Sequence, residues 1–159
     1  MARYEVPTPS TLLLRVVTPE RAAAALRMLD EALPGSPPSG NFQVATLSDV
    51  SSDSSSAPLA ACLVGHESGA PTAWIARFAV SVPFRRRGLG RRLLVDLSRA
   101  LQAAGAQSLW VHASDGPATR ALLASGGFVI LPAPGAPPLP ADLPSGQDEP
   151  EAVWWVREL

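Results

Sequence analysis

The chain has 159 residues, a length that suits one domain and leaves little room for two. Hydrophobic residues make up 47%, charged residues 17%, and the net charge is -1; these values exclude a wholly disordered chain and a globally basic nucleic-acid coat. All thirteen basic residues are arginine, which excludes lysine Schiff-base chemistry. One cysteine and two histidines exclude an internal disulfide, a multi-cysteine zinc site and a three-histidine metal site, so we predict no metal.

No segment is typical of a membrane span or of a signal peptide. The apolar run 12–14 is too short for a signal-peptide core. The stretch 121–141 carries no charge, but its five prolines would break a helix. We therefore expect a cytoplasmic protein with no membrane partner.

The first half of the chain predicts one strand, one helix and three further strands. After a flexible tail, 1–10, a strand covers Leu12–Val17, and Thr18 with Pro19 begins an amphipathic helix that ends near Gly35. The next strands are predicted at 42–47, 58–64 and 72–82. The segment 48–57 is almost all serine and aspartate, which is typical of a loop.

The second half predicts two helices, each followed by strands. Leucines at helical spacing follow Gly90, and Gly105 is placed to end that helix. A strand at 108–112 precedes a helix with Asp115 or Gly116 as its cap, Pro117 in its first turn and glycines at its end. Strands at 128–131 and 152–156 flank a proline- and acid-rich loop, 132–150.

This order of elements predicts the fold class. Helices separated by strands, after a run of strands compatible with antiparallel pairing, favour an α/β protein of the α+β mixed-sheet kind. We expect a central mixed, mostly antiparallel sheet with helices on both faces, formed by a single domain over residues 1–159.

Residues 80–92 carry the strongest chemical signal. Gly88 and Gly90 stand where a strand passes into the N-terminus of a helix, where backbone N–H groups and the helix dipole favour an anion. Five arginines surround these glycines with no acid among them: Arg85, Arg86, Arg87, Arg91 and Arg92. The spacing is neither that of a P-loop nor that of a dinucleotide fingerprint, and a solvated arginine cluster is the alternative reading.

The spacing Val80, Arg85, Gly88, Gly90 resembles the pyrophosphate-binding motif of the GCN5-related N-acetyltransferase (GNAT) family. The segment 114–128, an acidic residue, a helix and Gly-Phe, is similar to the second motif of that family. The resemblance in element order extends over residues 12–158.

The resemblance implies acetyl-CoA as the co-substrate. Its pyrophosphate would bind the amides of Arg85, Arg86, Arg87, Gly88, Leu89, Gly90 and Arg91, and its pantetheine arm would bond the backbone of Phe78, Val80 and Val82, where the fourth and fifth strands splay. The resemblance also implies that the acetyl group passes directly to an amine. A backbone N–H near Val80 would stabilise the oxyanion. Cys62 is then interpreted as a core residue.

One catalytic position departs from the family pattern, and the general base is not fixed by it. The place of the usual tyrosine, five residues before the Gly-Phe phenylalanine, is occupied by Leu123. For the general base, His112, His66 and Glu67 stay open, and His112 is the candidate that we predict. Ser114 is the second catalytic candidate, either as a donor to the sulfur or as a helix cap. The one tyrosine, Tyr4, falls in the tail.

The acceptor is predicted only as a small-molecule amine or a peptide. Trp154 and Trp155 must face opposite sides of one strand, so one belongs to the core and the other is free to line an acceptor groove. The acidic loop 132–150 either attracts a cationic amine or is simply solvated. Exposed edge strands of such a sheet favour a homodimer.

Two alternatives to an enzyme remain. One is a degenerate domain that senses acetyl-CoA. The other is nucleic-acid binding, which the acidic net charge and the missing stacking aromatics disfavour.

Overall fold

The computed structural model describes residues 12–32, 42–49, 57–67, 69–85, 88–114, 116–131 and 152–159. Its elements in chain order are β1 (Leu12–Val17), α1 (Ala23–Ala32), β2 (Gln43–Asp49), β3 (Ala60–Gly65), β4 (Thr72–Val80), α2 (Leu89–Ala103), β5 (Ser108–Ser114), α3 (Pro117–Ser125), β6 (Val129–Ile130) and β7 (Ala152–Glu158). The predicted order of strands and helices is confirmed. The tail 1–10, the loop 132–150 and residues 50–56 of the serine-rich loop lie outside the described residues.

Several boundaries differ from the sequence-based expectation: β3 begins two residues later than predicted, and β5 and β7 each end two residues later. Pro19–Arg21 forms a 3-10 turn, so α1 begins only at Ala23. Strand β2 continues to Asp49, two residues into the predicted loop, because its last residues pair with Leu12 and Leu13 of β1. A second 3-10 turn, Val82–Phe84, ends β4 earlier than predicted.

The strands form one seven-stranded sheet in the order β1-β2-β3-β4-β5-β7-β6. Every neighbouring pair is antiparallel except β4 and β5, which are parallel. One face of the sheet packs against α1, and the opposite face packs against α2 and α3, each with its own buried cluster. The expectation of a mixed, mostly antiparallel sheet with helices on both faces is confirmed. None of the helices within the described ranges is both long and apolar enough to cross a membrane.

Strands β4 and β5 pair over four positions only. Their register begins at Thr72 opposite Ser108 and ends at Ile75 opposite Val111. Both strands continue past this point, to Val80 and Ser114. A gap therefore opens between them, and among the strands that the structure describes the edge of β4 that faces β5 has no partner beyond Ile75.

A β-bulge lies at the start of this gap. Against β3, Arg77 pairs with Leu63 but Ile75 pairs with Val64, so β4 carries one extra residue at Ala76. The bulge shifts the alternation of side chains along β4. Ala73 and Ile75 face α2, and beyond the bulge it is Phe78 and Val80 that face the same side, as part of the same cluster.

Candidate functional site

The site is built around the N-terminus of α2. Gly88 is the N-cap residue and has φ 75°, a left-handed conformation that glycine adopts without steric cost. A Cβ at Gly88 would meet nothing within 4 Å, so this position borders open space. The first turn of α2 contains no acidic residue. Its unpaired amides and the positive end of the helix dipole thus form a place suited to an anion.

Next to this helix end lies a cavity of about 840 Å³. It is bounded by the end of β4, by the turn and first residues of α2, and by one side of α3. The wall consists of Phe78, Ala79, Val80, Arg85, Gly88, Leu89, Gly90, Arg91, Ala118, Thr119, Ala121, Leu122 and Ser125. A cavity of this volume is within the range that holds a small-molecule ligand.

Seven of the ten predicted coenzyme-binding residues line this cavity: Phe78, Val80, Arg85, Gly88, Leu89, Gly90 and Arg91. Val82 is not part of the wall and its side chain is 71% exposed. Arg86 and Arg87 lie outside the described residues. Together the seven residues connect the helix N-terminus to the end of β4.

The arginines near the cavity have different tasks. The Arg85 side chain turns back, and its Nε donates a hydrogen bond of 3.1 Å to the Val80 carbonyl oxygen, which ties the turn to the end of β4. Arg92 pairs with Asp96 one helical turn later, at 2.6 Å. Arg91 is exposed and lines the cavity, and no ion pair of Arg91 is found in the described part of the chain. Arg91 is therefore the guanidinium best placed for an anionic ligand.

Gly90 serves packing more than conformation. A Cβ there would lie 3.2 Å from Leu122 Cδ1 and 3.4 Å from both Phe78 Cε1 and Val80 Cγ2. The missing side chain lets α2 approach β4 and α3 closely. Gly90 thus determines how closely α2, β4 and α3 approach one another around the cavity, while Gly88 leaves the backbone at the helix N-terminus exposed.

The α3 side of the cavity was not predicted from the sequence. It comprises Ala118, Thr119, Ala121, Leu122 and Ser125, which recur at intervals of three and four residues and so lie on one helix face. That spacing was the available signal, but a stripe of small residues on a short helix is also typical of ordinary packing.

His112 lies on the opposite face of the sheet from this cavity. Its neighbours in β5, Val111 and Ala113, belong to the cluster under α2 and α3, so strand alternation directs His112 to the α1 face. It is the first residue of β5 beyond the last pair with β4, and it is half-buried. Its ring packs against Trp154, with centroids 4.7 Å apart. His112 therefore lies at the beginning of the gap.

The other catalytic candidates are placed differently. Ser114 is the last residue of β5, and the N-cap position of α3 is Gly116, one of the two predicted caps. His66 and Glu67 follow β3 at the end of the sheet where β4 begins, and the ring Nε2 of His66 is hydrogen-bonded to the Ala70 carbonyl at 2.9 Å. Eight residues of β4 separate that end from Val80, or about 26 Å at the strand rise. This distance excludes His66 and Glu67 from the cavity.

The burial of four side chains answers questions that the sequence left open. Trp155 is 2% exposed and belongs to the core, whereas Trp154 is half-buried on the α1 face. Leu123, at the family's tyrosine position, is 4% exposed and also belongs to the core. Cys62 is fully buried in β3, and burial raises the pKa of its thiol to about 12, so it is a core residue and no nucleophile.

The chain is similar to known proteins in sequence and in structure. A family model described as the acetyltransferase (GNAT) family matches residues 29–128. That match includes β4, α2, β5, α3 and the whole of the cavity wall. No curated protein matches the sequence significantly.

Solved structures of the same fold resemble nearly the whole chain. A GCN5-related N-acetyltransferase from Kribbella flavida is 18% identical, with a TM-score of 0.63, over 96% of this chain and 100% of its own. The ribosomal-protein-S18-alanine N-acetyltransferase from Escherichia coli is 20% identical, with a TM-score of 0.65, over 92% of this chain and 93% of its own. A Bacillus subtilis acetyltransferase, solved in complex with CoA, is 14% identical, with a TM-score of 0.57, over 93% of this chain and 99% of its own.

Proposed function

Because the chain belongs to the acetyltransferase (GNAT) family, we propose that it transfers an acetyl group from acetyl-CoA directly to an amine of an acceptor. One observation carries the proposal: a single cavity runs from the open N-terminus of α2 to the end of β4, beside the gap between β4 and β5. Acetyl-CoA is a long ligand with an anionic pyrophosphate in its middle and a reactive thioester at one end, so it needs a cavity that extends between these two places.

The residues of the wall suit the donor substrate. The pyrophosphate of acetyl-CoA would bind the N-terminal amides of α2 at Gly88–Arg91, with the Arg91 guanidinium adding charge. The pantetheine arm would lie against Phe78 and Val80. Its amides can bond the edge of β4 that β5 leaves unpaired, since backbone groups away from water require partners.

The two substrates would approach from opposite faces of the sheet. The donor substrate lies on the α2 face, and the thioester would enter the gap, where the acceptor amine can reach it from the α1 face. The amine nitrogen attacks the thioester carbonyl, a backbone N–H of the unpaired β4 edge stabilises the oxyanion, and coenzyme A leaves. His112, at the beginning of the gap, would accept the proton that the amine loses, directly or through water.

The acceptor that we propose is a small-molecule amine or a peptide amine. Both would approach along the half-buried rings of His112 and Trp154 on the α1 face. The second candidate function is a domain that binds acetyl-CoA without turnover. The buried Leu123 favours it, because no phenol stands where the family has one to protonate the leaving thiolate.

The first test is ligand-dependent stability. We expect millimolar acetyl-CoA to raise the Tm by several degrees, since a ligand at a hundred times its Kd adds about 2.7 kcal/mol to the free energy of unfolding. Gly88→Val should abolish the shift. The control, Gly116→Ala, changes a glycine with φ -82° and open surroundings and should keep it. An unchanged Tm of the wild type would reject both the transferase and the sensor.

The second test separates enzyme from sensor. Release of free thiol from acetyl-CoA would be measured with amines, aminoglycosides and peptides as acceptors. Release that depends on an acceptor establishes the transferase. Silence across the panel, in a protein that shows the Tm shift, favours the sensor.

A further inference from the structure

The cavity wall contains one hydroxyl that the structure leaves available to a ligand. Its polar side chains are Arg85, Arg91, Thr119 and Ser125. Ser125 Oγ already donates to the Leu122 carbonyl at 2.7 Å, and Arg85 Nε donates to Val80. Thr119 is half-buried, and its hydroxyl has no partner among the residues that the structure describes.

Thr119 also lies in the part of the wall that follows the end of β5. Helix α3 begins at Pro117, three residues after the end of β5, and β5 has by then separated from β4. The first turn of α3 thus lies beside the gap. Ser125 is six residues further, about 9 Å along the helix axis. Thr119 is therefore the hydroxyl-bearing residue of the wall that is nearer to the end of β5 and to the gap.

We propose that Thr119 is a catalytic residue that donates a hydrogen bond from Oγ1 to the sulfur of coenzyme A as it leaves. The inference rests on the proposed transferase function. The amine nitrogen forms the new N–C bond, the C–S bond breaks, and its electron pair goes to sulfur. The proton lost by the amine passes to His112 or to water, and the thiolate is held by the Thr119 hydroxyl.

Two features of α3 support this role. The positive end of its helix dipole is at the same first turn and favours a thiolate there. Leu123, one turn after Thr119, is packed in the core with Phe128 and Trp155 and has no hydroxyl to offer. The donor that the family places on this helix would be replaced here by a shorter one, one turn nearer the gap.

The test compares Thr119→Val, which keeps the shape of the side chain without the hydroxyl, with Thr119→Ser, which keeps the hydroxyl. The first readout is the thiolate fraction of bound coenzyme A, followed by ultraviolet difference absorbance against pH. Cys62 does not interfere because burial raises its pKa to about 12. Thr119→Val should lower the thiolate fraction at a fixed pH about tenfold, and Thr119→Ser should match the wild type. The second readout is kcat, which should fall about tenfold in Thr119→Val, with the KM for acetyl-CoA changed less than twofold.

The outcomes are distinct. If coenzyme A shifts the Tm of the wild type but Thr119→Val keeps the wild-type thiolate fraction and kcat, the role of Thr119 is wrong while the proposed function stands. If Thr119→Ser loses as much as Thr119→Val, the methyl packing matters and the hydrogen bond does not. If coenzyme A does not bind the wild type, the proposed function fails first and this inference fails with it.

Discussion

At the scale of single residues, neighbouring side chains of similar chemistry have separate tasks. Arg85 fixes the turn through the Val80 carbonyl, and Arg92 is paired along α2 with Asp96. Arg91 is exposed and lines the cavity. Arg91 also stands in the first turn of α2, where a positive charge opposes the helix dipole. If the charge of Arg91 serves to bind a ligand, we expect it to lower the stability of the free protein.

Arg91→Gln should therefore separate stability from binding. We expect the free protein to gain about 0.3–1 kcal/mol in its free energy of unfolding, because an unfavourable charge leaves the helix N-terminus. The Kd for acetyl-CoA should rise about tenfold at low salt, since a charge-assisted hydrogen bond is lost. Denaturant titration and calorimetry measure the two effects. Arg99→Gln, an exposed change further along α2, is the control, and equal effects of both variants would contradict the assignment.

His112→Gln should affect turnover and not donor binding. His112 lies across the sheet from the cavity, so the Tm shift caused by acetyl-CoA should remain. If His112 accepts the amine proton, kcat should fall roughly a hundredfold. Steady-state rates with a working acceptor measure this. A wild-type kcat in the variant would show that water or another group takes the proton.

The sequence predicted the residues of the cavity that are marked by glycine or by charge spacing. The α3 side of the wall was not predicted, because only their helical spacing distinguishes Ala118, Thr119 and Ser125 from ordinary packing residues. The sequence also left His66 and Glu67 open as bases, since distance along the sheet depends on strand register, which no local pattern encodes.

At the scale of elements, the position of α2 depends on the absence of a side chain. A Cβ at Gly90 would meet Leu122 of α3 and both Phe78 and Val80 of β4. The order of elements was predictable from hydrophobic spacing and turn residues. The ends of β2, β5 and β7 were not, because their last residues are held by partner strands that lie far away in the sequence.

Gly90→Val should destabilise the protein by about 1–3 kcal/mol, because the valine side chain would enter space that Leu122, Phe78 and Val80 already fill. Gly116→Ala is the matched control: its Cβ would enter open space, and the expected loss is below about 1 kcal/mol. Urea denaturation of the two variants gives the comparison. Equal stability of Gly90→Val and the wild type would mean that α2 can move away from β4 at little cost.

At the scale of the whole molecule, a seven-stranded sheet with a core on each face encloses β3. All six residues of β3 are buried, and Cys62 stands at its centre. A thiol whose pKa is about 12 in the folded protein and about 8.5 when unfolded contributes stability that is complete below pH 8.5. That stability is lost as the pH rises from about 8.5 toward 12, because only the unfolded state then loses the proton.

Between pH 7.5 and pH 9.5, the wild type should thus lose about 1 kcal/mol more of its free energy of unfolding than Cys62→Ala. Denaturant unfolding at both pH values measures the difference. Since the chain has one cysteine, the rate of its modification by a thiol reagent reports on global opening. Fast modification under native conditions, or equal pH dependence in both proteins, would contradict the burial of Cys62.

The bulge at Ala76 also determines which changes in length β4 can accept. If Ala76 were paired as an ordinary strand residue, the outer half of β4 would exchange its sides: the guanidinium of Arg77, now held by Asp30 of α1 at 3.3 Å, would turn toward the cavity, and Phe78 and Val80 would turn away from it. Deleting Ala76 would instead remove the bulge and leave these three residues on their present sides, because Ile75 and Arg77 already oppose the consecutive residues Val64 and Leu63. A residue inserted between Arg77 and Phe78 is therefore expected to be far more damaging than the deletion of Ala76.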